Sequence, residues 1–374
     1  MLKDSGVSPV VGTGPGPMTA AISSRVYASQ TMAVRAVGHD NNFNLIRMIA
    51  AASVLISHAS LIARGQGPEP LERWLHGTTL GTVGVYIFFA ISGFFITRSY
   101  EQRHDPYDFR KARLLRLLPG LFVMCCVTVI AGAFLTTVPM SVYLPDALRY
   151  VLHNATVVSL QSRLAGVFES SPRAINGSLW TLFYEVLCYA AVFLAGLAGV
   201  LRRRWLTLPA ALLFLCGYAA YGEMPLRIWL FFKLGLAFLI GGMIWIWRDR
   251  VPFSWPLAGA FVLAAVAAWW TPVFIPVMVL AISYGVLLLG YADTPSLRAY
   301  NRLGDYSYGI YIYAFPIQQL AAHLGARDPW SNVLVALPLT FCCAALSWAL
   351  VEKPTQALGR RKPAARGETN KVSE

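Results

Sequence analysis

Residues 80–97 read LGTVGVYIFFAISGFFIT, eighteen consecutive residues without a charged side chain. A run of this length and composition is typical of a helix that crosses the roughly 30 Å hydrocarbon core of a bilayer. Nine further apolar segments recur along the chain, at roughly 43–62, 117–137, 178–200, 206–221, 228–247, 255–270, 273–290, 306–322 and 332–351. The sequence therefore predicts an all-α polytopic membrane protein, a bundle of about ten transmembrane helices. Thr271-Pro272 favours a tight hairpin between the two segments that it separates.

The overall composition excludes an ordinary soluble protein. The 374 residues are 56% hydrophobic and 13% charged, with a mean hydropathy of +0.54. Because an average soluble domain is about 25% charged, this chain lacks the charge to solvate a globular surface. The apolar segments extend from residue 43 to residue 351, which also excludes a signal peptide or a single membrane anchor.

The net charge of +13 is best explained by orientation in the membrane. With ten spans and a cytoplasmic N-terminus, 22 of the 31 Lys and Arg residues fall in inside segments and 7 in outside segments. This asymmetry follows the positive-inside rule and predicts that both termini are cytoplasmic, in the cell inner membrane. We expect anionic membrane lipid to contact much of this charge. No basic domain is present, so nucleic acid is not an expected partner.

The two ends of the chain differ from the central part. Residues 1–40 are rich in Gly, Ser, Pro and Ala and predict a flexible cytoplasmic N-terminal tail, and residues 355–374 predict a basic cytoplasmic C-terminal tail. The membrane domain is predicted to span residues 41–354. Its longest loop, about 138–177, is predicted to be extracytoplasmic. All six cysteines lie in apolar spans and match no zinc-site spacing, so no metal site is predicted.

Ionisable side chains inside membrane spans are costly and are therefore candidates for function. Only one histidine, His58 on the first span, and only one acid, Glu185 on the fourth, lie within spans. Imidazole suits general-base chemistry near neutral pH. A histidine near a helix end can also simply hydrogen-bond a neighbouring helix. His58 is thus a candidate catalytic base on residue type and position.

Glu185 is expected at a depth similar to that of His58, because its span enters from the outer face. A carboxylate beside an imidazole would fix the tautomer of the ring. A structural ion pair is the alternative, with Lys233 as one available partner. Arg47 lies eleven residues before His58 and either serves the site or extends to cytoplasmic headgroups. Lys233 itself is expected to be structural or to reach the membrane surface.

Arg113 and Arg116 lie three residues apart at the start of the third span, so their side chains share one helix face. Two guanidinium groups in this arrangement could bind the oxygens of a phosphate. The alternative is that these arginines only contribute to the positive charge of the cytoplasmic side, and this alternative is favoured on spacing alone. Ser92 and Gly93 in the second span permit close approach of another helix or of a ligand chain. Helix packing is the favoured interpretation of this pair.

Six stretches of the chain, taken together and in order, resemble the acyltransferase 3 family of bacterial membrane O-acyltransferases. They are Arg47-x10-His58, residues 88–94 (FFAISGF), 113–119 (RLLRLLP), 178–185 (SLWTLFYE), 306–317 (YSYGIYIYAFPI) and 352–354 (EKP). Three positions depart from the pattern. Many members have an acid near Asn44 and a glycine near Met48, and many have a histidine shortly before the late proline, where this chain has Ala314-Phe315-Pro316.

The resemblance implies that an acyl group, usually acetyl, moves from cytoplasmic acyl-CoA to a carbohydrate hydroxyl. The acceptor would be an exopolysaccharide, a lipopolysaccharide or a lipid-linked oligosaccharide. Acyl-CoA is then a co-substrate, and no tightly bound cofactor is expected. By this similarity the expected catalytic residues are His58, Glu185 and Arg47, and the expected donor-binding residues are Arg113, Arg116 and Ser92.

Two questions stay open on the sequence. His58 could act as a base or carry the acyl group transiently as acyl-imidazole. A membrane transporter or flippase for a glycan precursor has a similar composition and similarly sparse intramembrane charge. The lack of visible internal repeats argues against the transporter.

Overall fold

In the computed structural model of the protein, the described part of the chain consists of helices joined by turns and loops. The structure describes residues 31–38, 41–65, 69, 71–102, 105–169 and 174–360. Within these ranges the only β-structure is two isolated bridges, Thr31–Pro252 and Leu164–Val167. The predicted all-α class is confirmed. The predicted tails, 1–40 and 355–374, lie mostly outside the described residues.

The helices of eight or more residues follow the predicted apolar segments closely, with two additions, Met140–Thr156 and Lys353–Arg360. In chain order they are α1 Phe43–Arg64, α2 Leu80–Gln102, α3 Pro106–Ala133, α4 Met140–Thr156, α5 Trp180–Leu197, α6 Thr207–Ala219, α7 Leu226–Ile246, α8 Trp255–Ala267, α9 Phe274–Tyr291, α10 Ser307–His323, α11 Pro329–Ser347 and α12 Lys353–Arg360. A π-helical turn, Trp348–Glu352, joins α11 to α12. The predicted hairpin between α8 and α9 is confirmed. Helix α8 ends at Ala267 and α9 begins at Phe274, and the turn between them contains Thr271-Pro272.

Seven helical units in the described chain are long and apolar enough to cross a membrane: α1, α2, α3, α5, α7, α9 and the continuous unit Pro329–Gly359. Helices α6 and α8 are apolar but have 13 residues each, and α10 has 17. Thirteen residues rise only about 20 Å, less than the hydrocarbon thickness. The protein is therefore a multi-pass membrane protein with seven candidate spans, while ten crossings stay a prediction.

The predicted loop 138–177 contains helix α4. One face of α4 buries Tyr143, Ala147 and Tyr150, and the opposite face exposes leucines. The helix was not expected because Asp146 and Arg149 interrupt any apolar run. The signal that could have found it is the 3.6-residue spacing of its apolar side chains.

Close packing of α2 on α7 fixes the centre of the bundle. A Cβ atom added to Gly93 would lie 1.9 Å from the carbonyl oxygen of Phe238, and one added to Gly241 would lie 2.0 Å from that of Ala90. Only glycine allows the two backbones to approach this closely. The packing interpretation of Gly93 is confirmed, and the contact places the neighbouring Ser92 toward α5.

The described part of the N-terminal region packs on the end of α7. The backbone N–H of Met32 donates to the carbonyl of Val251, and that of Ala33 to the carbonyl of Arg248, both at 2.9 Å. At the other end of the chain, α12 packs along α3. The π-helical turn before it buries Glu352, whose carboxylate accepts a 2.8 Å hydrogen bond from Ser347 Oγ.

Candidate active site

His58 lines a cavity of about 460 Å³ near the C-terminal end of α1. Its Nδ1 lies 3.5 Å from Ser178 Oγ, and its ring packs edge-on against Phe315 with the ring centroids 5.2 Å apart. Ser178 is buried, and its backbone N–H donates to Asn176 Oδ1 at 3.1 Å. The imidazole is therefore oriented by the segment that leads into α5 and by α10.

Glu185 does not accompany His58. Its carboxylate accepts a hydrogen bond from Ser92 Oγ at 3.3 Å and another from the hydroxyl of Tyr189. Helix α5 carries Glu185 seven residues beyond Ser178, about 10 Å further along its axis. The expected carboxylate–imidazole contact is not formed among the described residues, and Ser178 occupies that place instead.

Lys233 lies in the His58 cavity rather than beside Glu185. Its ammonium nitrogen is 5.1 Å from the centroid of the Trp229 ring, one turn earlier on α7. The suggested Glu185–Lys233 ion pair is absent from the described part of the chain. Sequence position alone did not reveal that Lys233 and His58 share a cavity, because it does not give the rotation of α7 relative to α1.

A second and smaller cavity, of about 50 Å³, contains most of the predicted site residues. Its lining includes Arg47, Ser92, Arg116 and Glu185. These four side chains come from α1, α2, α3 and α5, which are distant in sequence. The structure thus brings together four of the six predicted residues, separate from His58.

Asp305 links Arg47 and Arg116, and it is not among the site residues predicted from the sequence. Arg47 Nη1 and Arg116 Nη2 each lie 3.5 Å from Asp305 Oδ2. Ser307 Oγ donates to Asp305 Oδ1 at 2.6 Å. Burial opposes ionisation of this carboxylate, but the two guanidinium groups and Ser307 outweigh it and hold the pKa of Asp305 below its usual value. Its position in the short connection before α10 gave no signal that it would turn toward α1 and α3.

Arg113 lies on a neighbouring part of the α3 surface. Its Nη2 donates to Ser99 Oγ at 3.3 Å, and its guanidinium lies 6.0 Å from the centroid of the Phe109 ring. Among the described residues that line the smaller cavity, Arg116 is present and Arg113 is not. The two predicted donor-binding arginines therefore occupy different environments.

The two cavities share one wall. Val85, Thr181 and Tyr311 line both of them. The Tyr311 hydroxyl donates to the carbonyl of Ser178 at 2.8 Å and also contacts Thr181 Oγ1. Ser178 thus contacts His58 through its side chain and Tyr311 through its backbone. Arg47 and Arg116 around Asp305 form what we call the arginine cluster. A few side chains separate it from the imidazole.

Comparison with known proteins identifies a family and several relatives of this chain. A family model for the acyltransferase domain of the acyltransferase 3 family matches residues 40–352. The chain is 28% identical over 365 residues to nodulation protein 10 of Rhizobium leguminosarum bv. viciae, covering 86% of this chain and 94% of that protein. It is 28% identical over 341 residues to the O-acetyl transferase of Shigella phage Sf6, covering 84% and 95%.

A third relative is the exopolysaccharide production protein ExoZ of Rhizobium meliloti (strain 1021), 26% identical over 328 residues, with 81% of this chain and 98% of that protein covered. No solved structure matches the chain. The family match covers more than half of the chain and includes His58 and the arginine cluster. The chain belongs to the acyltransferase 3 family and is a membrane O-acyltransferase.

Proposed function

We propose that this protein transfers an acetyl group from cytoplasmic acetyl-CoA to a hydroxyl of a cell-envelope or exported carbohydrate. The observation that carries the proposal is the shared wall of the His58 cavity and the arginine-lined cavity. The names of the relatives, an O-acetyl transferase and an exopolysaccharide production protein, support acetyl as the group and a polysaccharide as the acceptor.

The donor enters from the side of the arginine cluster. Arg47 lies eleven residues, about 16 Å, before His58 on α1, so the two ends of the path lie along one helix. Arg47 and Arg116 face the two carboxylates of Asp305 and Glu185. With both carboxylates ionised this network has no net charge, so it suits the uncharged pantetheine arm and thioester. The phosphates of the donor then lie further toward the cytoplasm, near Arg113.

His58 activates the acceptor. With Nδ1–H donating to Ser178 Oγ, the lone pair on Nε2 is free to accept a proton. His58 takes the proton from the sugar hydroxyl, whose oxygen forms a bond to the thioester carbonyl carbon while the carbon–sulfur bond breaks. The imidazolium returns the proton to the departing CoA thiolate. In the two-step alternative, Nε2 forms a bond to the thioester carbonyl carbon while the carbon–sulfur bond breaks and CoA leaves as its thiolate. The sugar oxygen then bonds to the same carbon as the bond to Nε2 breaks, and the hydroxyl proton goes to the released Nε2 and from there to the thiolate.

The experiment that tests this proposal uses membrane vesicles with labelled acetyl-CoA and the host's cell-surface glycan. Wild-type vesicles are expected to place label in the glycan, and vesicles that contain His58→Ala are expected to lose it. His323→Ala, which changes a histidine outside both cavities, is the matched control and is expected to retain transfer. Movement of glycan across the membrane without label in it would favour a transporter.

We further propose that the chain crosses the inner membrane ten times with both termini in the cytoplasm. The partition of Lys and Arg residues supports this topology, and local thinning of the bilayer accommodates the short helices α6 and α8. Reporter fusions placed in the connections before and after α6, and before and after α8, test this topology. If the two connections that flank one of these helices lay on the same side of the membrane, that helix would not cross it and the ten-span topology would be wrong.

A further inference from the structure

The His58 cavity continues into a neighbouring groove of about 570 Å³. The two share Gly177, Trp180 and Leu230 as lining residues. We call the two together the outer cleft. Both volumes lie in the range of small-molecule sites, 300–1,000 Å³, so the cleft has room for more than the hydroxyl that reacts.

Lys233 is a cation among the residues that line the His58 cavity, and no described residue forms an ion pair with it. In the described chain its ammonium forms no ion pair, and its recorded contact is the face of the Trp229 ring. An ammonium group inside a membrane span is costly and is normally paired with an anion. The described residues place no anion within ion-pair distance of it, so the counter-charge is expected from a ligand.

Glu69 does not supply that counter-charge. It is the one carboxylate among the described residues that line the His58 cavity. The hydroxyl of Ser57 donates to it. Burial, the largest influence, raises the pKa of Glu69. Among the described residues no ion pair joins its carboxylate to the Lys233 ammonium. The charge that a ligand in the cavity meets without a direct counter-ion is therefore positive.

The groove has the same sign of charge. Arg227, at the start of α7, lines it, and no carboxylate is among its described lining residues. Trp180 and Tyr184 also line the groove, with ring centroids 5.8 Å apart. Trp180 is exposed and Tyr184 is buried behind it. An exposed indole ring can stack against the apolar face of a sugar ring, while the cations attract negative charge.

We propose that the outer cleft takes an acceptor that carries a negative charge, a uronate carboxylate or a phosphate, close to the hydroxyl that is acylated. Lys233 recognises this charge, and Arg227 attracts the next anionic group along the glycan. The inference rests on the proposed function, because it assigns the acceptor of the same reaction.

The test starts with wild-type vesicles, labelled acetyl-CoA and host envelope glycans separated by anion exchange after the reaction. We expect label in the acidic fraction. In one arm the glycan carboxylates are reduced to alcohols before the reaction, and in another the phosphates are removed. The arm that lowers transfer identifies which anion Lys233 recognises. Label only in the neutral fraction would overturn the inference and leave the proposed function intact, whereas no label in any fraction would refute the proposed function itself.

Variants then test the role of Lys233. Lys233→Met is expected to raise the KM for the acidic acceptor by about tenfold or more, the usual effect of losing a hydrogen bond to a charged group. It should change transfer to the carboxyl-reduced or dephosphorylated acceptor much less. Lys233→Arg is expected to restore the preference, and Lys353→Met on the exposed start of α12 is the matched control. Equal KM increases for charged and neutral acceptors, or no increase for either, would overturn the inference.

Discussion

The carboxylate of Asp305 lies 3.5 Å from the guanidinium of Arg47, which ties the connection before α10 to α1. Arg116 approaches the same carboxylate oxygen at the same distance. The side chains of Arg47 and Asp305 are only 12% and 17% exposed, so water screens this contact weakly. Helices α1 and α3 and the connection before α10 therefore meet at one acid.

Asp305→Asn is expected to destabilise the protein by about 3 kcal/mol, because removing one partner leaves buried guanidinium groups uncompensated. Thermal unfolding of the purified protein in detergent measures the change. Asp249→Asn is the matched control, since the Asp249–Arg204 pair is largely exposed and is expected to contribute about 1 kcal/mol or less. Equal effects of the two substitutions would show that Asp305 does not organise the cavity.

The same contact predicts a dependence of stability on pH. Because the folded-state pKa of Asp305 is below its ordinary value of 3.8, its contribution is fully present above that value and is lost as the pH falls through the folded pKa. Wild-type protein should therefore lose more thermal stability than Asp305→Asn between pH 5 and the acid limit of folding. Parallel losses in the two proteins would contradict the assignment.

Ser178→Ala removes the hydroxyl that faces His58 Nδ1. We expect kcat to fall about fivefold to tenfold, the effect of losing one hydrogen bond that orients the base, with little change in the KM for the acceptor. His58→Ala should abolish transfer. Ser53→Ala, on an exposed turn of the same helix α1, is the matched control. A Ser178→Ala enzyme with wild-type kcat would show that the tautomer is fixed by another group.

Gly93→Ala tests the contact between α2 and α7. The added Cβ would collide with the Phe238 carbonyl, so we expect a loss of about 1–3 kcal/mol and a lower yield of folded protein. Gly259→Ala on α8 meets no atom within 4 Å and is expected to be neutral or slightly stabilising. Matching stability of the two variants would contradict the close packing.

Residue types and spacing predicted the class of the fold and the positions of the apolar helices, because each depends on neighbouring residues alone. The family resemblance, rather than spacing, placed Arg47, Ser92, Arg116 and Glu185 among the expected site residues, and these four side chains line one cavity.

The misplacement of Glu185 has a geometric cause. Depth in the membrane can be counted along a helix, but the direction in which a side chain points around the axis depends on packing against other helices. Asp305 and Lys233 were given no role in the site for the same reason: each meets its neighbours through contacts between residues far apart in sequence. Helix α4 was missed because its pattern is amphipathic rather than continuously apolar.

The most direct measurement uses sealed vesicles with labelled acetyl-CoA on the side of Arg113 and the acceptor glycan on the opposite side. We expect steady transfer of label to the glycan by the wild-type protein and none by His58→Ala. Wild-type rates from His58→Ala, or label that reaches the glycan only when donor and acceptor share one side, would contradict it.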